Sequence, residues 1–313
     1  MRLAFLGSPP FGTPVLRHLL DSRHEVAVVV SPPDRPRGRG RSVERSPLAV
    51  LAAERGAPLL RPETTRDGGF LESLRGYAPE VLLVASYGEI LRAPVLELAP
   101  HGALNVHASL LPRWRGAAPI QHAILAGDTE TGVCVQRMVL ALDEGDVLLE
   151  RRTPIGAEET AGELAARLAE LGGEVAVEAL DRLEAGEASF TPQDPKRATY
   201  APKLSRRDGE LDWTRPAVEL ARRVRAMTPW PGARTTLPDG RALVVLAAAA
   251  EPSEPAGEPG ALLPGPELRV ATGEGALLLR TVKPEGRGAM EGAAFLRGAR
   301  LAPGARLGRA ESP

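Results

Sequence analysis

The sequence of 313 residues lacks the features that define several large classes of protein. It has a single cysteine, Cys134, so an intramolecular disulfide and a zinc site built from cysteines are both excluded. No apolar run approaches the roughly 18 residues that a membrane-spanning helix needs. The first residues form a short apolar stretch without the pattern of a signal peptide. We therefore expect a cytoplasmic protein without a membrane partner.

Net charge is also almost absent, at −1 for 39 basic and 40 acidic residues. Bulk charge therefore gives no indication of a nucleic-acid partner. Charge is nevertheless uneven, because residues 31–47 carry five arginines against two acids and residues 196–234 carry ten lysines or arginines against four acids. Two basic zones on a nearly neutral chain indicate a localised polyanion-binding surface, although solvated surface loops would give the same pattern.

Strand and helix patterns alternate through the first half of the chain. Short apolar runs rich in valine and leucine predict strands buried on both faces. Thr13–Leu20 is predicted to form a helix with Thr13 as its N-cap, and residues 160–186 a long amphipathic helix. The alternation predicts an α/β domain with a parallel sheet covered on both faces. The predicted strands are Arg2–Leu6, Glu25–Val30, Val81–Ala85, Ala103–His107 and Val133–Val139.

The pattern changes in the last third of the chain. Residues 188–205 are polar and rich in proline, which indicates a linker. Pro216–Met227 predicts a helix, and short strand candidates follow it, separated by turns such as Asp239–Gly240. Short strands at this spacing predict a small, OB-like β-barrel. We therefore expect one domain over residues 1–187 and a second, β-rich domain over residues 206–313.

An amide and an imidazole lie two residues apart at the end of the strand predicted over Ala103–His107. Asn105 and His107 therefore point to the same face, and ligands gather at the carboxyl ends of strands in open α/β sheets. An asparagine amide can donate a hydrogen bond to an oxyanion, and a histidine can accept a proton from an attacking amine. Asp143, after another predicted strand, is the candidate carboxylate for orienting the histidine. A purely structural polar cluster would have the same spacing.

Two motifs resemble those of a known family. Asn105–Pro112, followed by Arg113–Gly116, closely resembles the signature of the 10-formyltetrahydrofolate-dependent formyltransferases, and Leu142–Asp146 resembles their downstream acidic motif. The resemblance implies a Rossmann-like formyltransferase domain with a mostly parallel sheet, which moves a formyl group from 10-formyltetrahydrofolate to an amine. The residues that match the family's catalytic trio are Asn105, His107 and Asp143.

The same resemblance implies a folate site. Val84–Leu91 is similar to the family's pterin-pocket loop, although Glu89 stands where glutamine or leucine is expected and Arg92 where proline is expected. The histidines lack the spacing of a metal site, so we expect no metal. The folate-binding residues implied by the resemblance are Tyr87, Gly88, Ile90, Ser109, Leu110, Leu111 and Pro112.

The rest of the chain narrows the resemblance. Tyr200–Ser205, Leu211–Trp213 and Arg225–Ala233 resemble the C-terminal domain of the formyltransferases that act on methionyl-tRNA. Pro33–Arg41 resembles the loop with which those enzymes hold the acceptor stem, and Arg39 matches the arginine that enters the end of the stem. Initiator methionyl-tRNA is therefore the expected partner of a monomeric enzyme. The candidate tRNA-binding residues are Arg35, Arg37, Arg39, Arg41, Arg222 and Arg223.

Three other functions fit parts of the sequence. A formyltransferase acting on a sugar amine would share the trio but would not need the arginine-rich loop. A non-catalytic module that binds tRNA or folate would not need the trio. A Rossmann dehydrogenase is disfavoured because Gly7–Gly12, after the first predicted strand, lacks the G-x-G-x-x-G pattern and contains two prolines.

Overall fold

The computed structural model describes residues 1–34, 45–252 and 257–308. The chain divides into two compact units. The first unit comprises Met1–Pro119, Glu130–Pro154 and Ala165–Ala201, and the second comprises Ile120–Thr129, Ile155–Leu164 and Pro202–Pro313. The predicted division into residues 1–187, 188–205 and 206–313 stays a prediction. No helix in the described ranges is both long and apolar enough to cross a membrane.

The first unit is built on a seven-stranded sheet in which six strands run in the same direction and the strand next to one edge runs against them. The strands of the first unit, including two short ones outside the main sheet, are β1 (Arg2–Gly7), β2 (Glu25–Val30), β3 (Leu59–Leu60), β4 (Val81–Ala85), β5 (Ala103–His107), β6 (Arg115–Gly116), β7 (Glu130–Arg137), β8 (Val147–Pro154) and β9 (Tyr200–Ala201). The helices of the first part of the chain are α1 (Gly12–Asp21), α2 (Pro47–Glu54), α3 (Gly68–Gly76), α4 (Ala93–Leu96), α5 (Pro119–Ala126) and α6 (Ala161–Glu184).

The order of the sheet is β3-β2-β1-β4-β5-β7-β8. Strand β4 is apolar and buried throughout, and β1 is apolar and buried after Arg2, as continuous apolar runs predict for strands covered on both faces. The chain moves outward from β1 in one direction through β2 and β3 and in the other through β4 and β5. This reversal makes a topological switch point, where loops at the carboxyl ends of β1 and β4 leave room for a ligand.

Most predicted elements of this unit are present, with differences at α1, at β7 and in strands that were not predicted. Helix α1 begins at Gly12 and has no side-chain cap, so Thr13 is not its N-cap as predicted. The main-chain N–H of Gly12 donates to the Ser8 carbonyl oxygen, so the preceding turn runs directly into the helix. Strand β7 runs from Glu130 to Arg137 rather than from Val133 to Val139, and it pairs antiparallel with β5 and β8. Strands β3, β6, β8 and β9 were not predicted.

The predicted linker forms main-chain contacts within the first unit. Thr191 bridges to Val147, and β9 pairs with β6 through the register Arg115 to Tyr200 and Gly116 to Ala201. Gly116 has a φ of 113°, and a Cβ there would lie 2.7 Å from the Ala201 carbonyl oxygen. Only glycine fits this approach. The segment after α6 therefore returns to the loop that follows β5.

The second unit contains a curved antiparallel sheet in the order β10-β11-β13-β12, with β14 added on β13. Gly240, with a φ of 82°, lies in the turn between the first two of these strands, which confirms the predicted hairpin. Main-chain hydrogen bonds continue the sheet from β12 through residues 260–263 and 304–308 to β10. The C-terminal domain is thus the predicted β-rich one. Its helices and strands are α7 (Ala217–Met227), β10 (Ala233–Thr236), β11 (Ala242–Glu251), β12 (Arg269–Ala271), β13 (Ala276–Pro284), β14 (Met290–Glu291) and α8 (Gly292–Ala299).

Candidate active site

Strand β5 presents its polar side chains at the centre of the first unit. Asn105 pairs with Gln136 of β7, and His107 pairs with Cys134. Directly opposed residues in an antiparallel pair share a face, so the amides of Asn105 and Gln136 and the imidazole of His107 all lie on one side of the sheet. The Asn105 carboxamide is half-buried and forms no hydrogen bond with any residue of the described chain. It is therefore available to a ligand.

The His107 imidazole is buried between two protein groups. Its Nε2 lies 2.9 Å from the main-chain oxygen of Trp114. Because a carbonyl oxygen can only accept, Nε2 carries a hydrogen and donates it. Trp114 has a φ of 63°, a left-handed conformation that is uncommon for a large side chain. The other ring nitrogen, Nδ1, lies 3.8 Å from Oδ2 of Asp143.

Asp143 is the acid that the structure brings to His107. It lies between β7 and β8, its side chain is 12% exposed, and its φ is 54°. Oδ2 accepts the main-chain N–H of Gly116 at 2.8 Å, and Oδ1 accepts Nε2 of Gln136 at 2.9 Å. Both carboxylate oxygens are therefore fixed while one of them faces the imidazole. The predicted pairing of His107 with Asp143 is present in the geometry.

Sequence reasoning missed Gln136. It is 1% exposed and lies on the strand opposite Asn105, so its position depends on an antiparallel pairing that the chain pattern did not predict. The one available signal was a polar residue within the apolar run that gives β7. Cys134, two residues earlier, is fully buried, and burial raises the pKa of its thiol to about 12. Cys134 is therefore a packing residue.

The predicted folate residues after β5 are mostly part of a tight turn. Ser109 is 1% exposed, and its hydroxyl donates to the Arg113 carbonyl oxygen at 2.6 Å. Leu111 is buried, whereas Leu110 and Pro112 are half-buried. The Ser109 side chain thus stabilises the turn that carries Trp114. Any contact of this run with a ligand therefore falls to its other residues and to its main chain.

The predicted folate residues after β4 lie beside an open cleft of about 700 Å³ at the switch point. Tyr87 and Gly88 line it, whereas Ile90 is 73% exposed and is not among its lining residues. The loop after β1 contributes Ser8 and Pro9 to the opposite wall. Burial raises the pKa of the Tyr87 phenol to about 12, so it remains a neutral hydrogen-bond donor. The three predicted catalytic residues are not among the described lining of this cleft.

Glu89 occupies the position that departs from the family pattern. Its carboxylate turns toward a neighbouring loop, where it accepts the Thr64 hydroxyl at 2.8 Å and the Thr65 main-chain N–H at 2.9 Å. Arg66 lies 3.6 Å away. Burial acts to raise the pKa of Glu89, but these hydrogen bonds outweigh it and lower the pKa below its usual value. Glu89 therefore anchors a loop.

Of the candidate tRNA-binding arginines, two are described. Arg223 donates from Nη1 to the Asp208 carbonyl oxygen at 2.7 Å, and the Arg222 guanidinium packs over Gly127. Both are half-buried on α7. Arg35, Arg37, Arg39 and Arg41 lie outside the described residues.

One group in the described chain has donors that suit a metal ion, namely His24, Asp181 and Glu184. Cations of the protein already pair with its two acids. Arg23 contacts both carboxylates, at 2.7 and 2.6 Å, and the Met1 amine contacts Glu184 at 2.5 Å. The expected absence of a metal stays a prediction.

Comparison with known proteins agrees with this geometry. The family described as formyl transferase matches residues 1–180, and the formyl transferase C-terminal domain matches residues 203–300. The chain belongs to the formyl transferase family.

Its curated relatives narrow the family further. The chain is 52% identical to a methionyl-tRNA formyltransferase of Anaeromyxobacter dehalogenans strain 2CP-1 over 292 residues, which cover 92% of this chain and 93% of the relative. It is 43% identical to a methionyl-tRNA formyltransferase of Symbiobacterium thermophilum over 316 residues, which cover 100% of this chain and 97% of the relative. The chain belongs to the methionyl-tRNA formyltransferases.

Solved structures share the fold at low sequence identity. HypX from Aquifex aeolicus in complex with tetrahydrofolic acid matches with a TM-score of 0.62 and 21% identity, covering 95% of this chain and 47% of that one. The sugar 3N-formyltransferase WlaRD, in the presence of dTDP and 5-N-formyl-THF, matches with a TM-score of 0.66 and 14% identity, covering 92% of this chain and 99% of that one.

Proposed function

We propose that this protein transfers the formyl group of 10-formyltetrahydrofolate to the α-amino group of initiator methionyl-tRNA, which gives N-formylmethionyl-tRNA for translation initiation. The observation that carries the proposal is the group formed by Asn105, His107 and Asp143 in a chain 52% identical to a methionyl-tRNA formyltransferase. An amide without a hydrogen-bond partner among the described residues lies two residues from an imidazole that faces a fixed carboxylate.

The reaction requires the protein to stabilise an oxyanion and to move protons. The methionyl amine attacks the formyl carbon, so a carbon–nitrogen bond forms while the carbonyl oxygen becomes negative. Asn105 donates its amide N–H to that oxygen, a contact typically worth about 10²–10³-fold in rate. The bond from the formyl carbon to N10 of the folate then breaks, and the amine must lose a proton while N10 gains one.

His107 is suited to move that proton. Its Nε2 already donates to the Trp114 carbonyl oxygen, so a proton taken up by the ring goes to Nδ1, the nitrogen that faces Asp143. The 3.8 Å between Nδ1 and Oδ2 of Asp143 is too long for a hydrogen bond, and catalytic contacts of this kind often tighten when substrate binds. Asp143 then orients the ring and stabilises its charged form. A positioned proton carrier typically contributes about 10²–10⁴-fold.

The folate donor is assigned to the loops around this group. Tyr87 and Gly88 line the cleft at the switch point, and the run from Ser109 to Pro112 follows directly after β5, the strand that pairs with β4. Ile90, Leu140 and Leu142 are exposed apolar side chains on the loops after β4 and β7. Apolar side chains with a few polar partners are typical of sites for planar ring systems.

The tRNA is assigned to the two basic zones. Arg35, Arg37, Arg39 and Arg41 supply guanidinium groups that suit phosphates and bases. The described residue before them is tied down, because Oδ1 of Asp34 accepts the Ser46 main-chain N–H at 3.1 Å. Arg222 and Arg223 are assigned to further backbone contacts. We further expect a cytoplasmic monomer that needs no metal.

Formyl transfer to charged initiator tRNA tests the proposal directly. The purified chain receives 10-formyltetrahydrofolate and methionyl-tRNA, with UDP-amino-sugars present as competing acceptors, and the formylated products are separated. We expect formylmethionyl-tRNA as the main product. Preferential formylation of the sugar would replace the proposal with a sugar-amine formyltransferase, and no transfer to either acceptor would remove the enzymatic assignment.

A further inference from the structure

Three hydrogen-bonded side chains, those of Arg115, Gln193 and Gln136, lead to Asp143. None of the three is assigned to substrate binding. Arg115 is 4% exposed and Gln136 is 1% exposed, and both belong to short polar interruptions of an otherwise apolar region. Gln193, from the segment after α6, connects them. Buried polar groups at these exposures are costly unless they are paired, so the network has a structural reason to be complete.

Arg115 fixes the orientation of the Gln193 side-chain amide. Its Nε and Nη2 donate to Oε1 of Gln193 at 3.1 and 2.9 Å. A guanidinium can only donate, so the Gln193 amide must present its oxygen to Arg115 and its nitrogen to the other side. The remaining nitrogen, Nη1, lies 3.0 Å from Glu144, which holds the guanidinium in place.

The amide nitrogen of Gln193 points to the loop that carries Asp143. Its Nε2 donates to the main-chain oxygens of Asp143 and Gly145 at 2.8 and 2.7 Å. It also lies 3.3 Å from Oε1 of Gln136. The loop needs this support, because Asp143 has a φ of 54° and a left-handed backbone costs free energy in residues other than glycine.

Gln136 ends the chain at the carboxylate. Since its Oε1 faces the Gln193 amide nitrogen, its own Nε2 must face Asp143, to which it donates at 2.9 Å. The orientation set by Arg115 is therefore transmitted through two amides to Oδ1 of Asp143. Oδ2 is fixed by Gly116 and lies nearer the His107 ring. The oxygen that faces the imidazole, Oδ2, therefore accepts no bond from Gln136, which binds Oδ1.

We infer that Gln136 is a positioning residue of the formyl transfer, which acts through Asp143 and is itself held by Gln193 and Arg115. The inference rests on the proposed function. Gln136 makes no contact with the substrate in this account. Its loss therefore lowers turnover by releasing the carboxylate that orients His107, and leaves the affinity for folate and tRNA almost unchanged.

Gln136→Met tests the inference, because methionine matches the size of glutamine but cannot donate. We expect kcat to fall about 10-fold or more, as for the loss of a hydrogen bond to a charged group, with KM for both substrates within about two-fold. The matched control is Gln121→Met. Gln121 is half-buried on α5 and belongs to no part of the assigned machinery, so this variant should keep wild-type kcat.

A double-mutant cycle separates positioning from a general structural defect. In an Asp143→Ala background, Gln136→Met should cause no further loss of kcat, because the group through which it acts is gone. An equal loss in both backgrounds, or wild-type kcat in Gln136→Met, would overturn the inference. If Gln136→Met fails to fold, the same cycle with Gln193→Met decides, with the same expected and contrary results.

The wild-type enzyme separates this inference from the proposed function. If the wild type formylates methionyl-tRNA and the Gln136 cycle shows no coupling, only the positioning role fails. If the wild type transfers no formyl group to methionyl-tRNA, the proposed function fails first.

Discussion

Asp143 and Glu89 are two acids on loops of the same sheet, and the environment of each carboxylate decides what it can do. Each accepts one main-chain N–H, from Gly116 and Thr65 respectively. Asp143 also faces a histidine, whereas the other carboxylate oxygen of Glu89 accepts a hydrogen bond from a threonine hydroxyl. A carboxylate that faces a histidine can take part in proton transfer. A carboxylate surrounded by hydroxyl and main-chain donors holds a loop.

The largest losses of turnover should come from the two polar side chains of β5, Asn105 and His107. Asn105→Ala and His107→Ala should each lower turnover at least about 10²-fold, because one removes the oxyanion donor and the other the proton carrier. Single-turnover formyl transfer measures the loss, and circular dichroism checks folding. Near-normal turnover in either folded variant would remove that residue from the assignment.

The two acids themselves give a matched pair. Asp143→Asn should lower kcat at least about 10-fold, because an amide cannot stabilise a charged imidazole. Glu89→Gln should change kcat by less than about three-fold, because its partners are main-chain and hydroxyl donors. Equal losses of kcat in the two variants, measured with saturating substrates, would break the comparison.

Arginine substitution should separate binding from chemistry. Arg39→Ala should weaken activity by raising KM for tRNA and should flatten the salt dependence of that KM, with a change of slope of about one. Arg182→Ala is the control, since Arg182 pairs with Glu178 on an exposed helix face. An unchanged salt slope in Arg39→Ala would exclude a phosphate contact.

The smallest expected effect is on stability in acid. Because the pKa of Glu89 lies below its usual value of 4.5 in the folded chain, its contribution is fully present above the unfolded pKa. That contribution is lost as pH falls through the folded pKa. Urea unfolding at neutral pH and in acid should therefore show that Glu89→Gln destabilises more at neutral pH. An equal change in the free energy of unfolding at both pH values would contradict the assignment.

Local sequence patterns predicted the buried strands of the first unit. The bounds of β2, β4 and β5 follow directly from apolar runs, because such runs must be buried on both faces. Thr13 was placed wrongly, because the turn after β1 continues into α1 through main-chain bonds. That continuation depends on backbone geometry and leaves no mark in residue type.

The candidate site was predictable only in part. Spacing placed Asn105 and His107 on one face, and family resemblance supplied Asp143. Gln136 and Gln193 were missed because their positions depend on long-range pairing, of β7 with β5 and of the segment after α6 with Val147 and β6. The same limit applies to Ser109, whose hydroxyl is used inside its own turn.

A double-mutant cycle on His107 and Asp143 tests the central claim most directly. The measurement is the single-turnover rate of formyl transfer to methionyl-tRNA for His107→Ala, Asp143→Ala and the double variant. If the two residues act as one unit, the double variant should be no slower than the slower single variant. Losses that multiply would contradict the account, because they would show two groups that work independently.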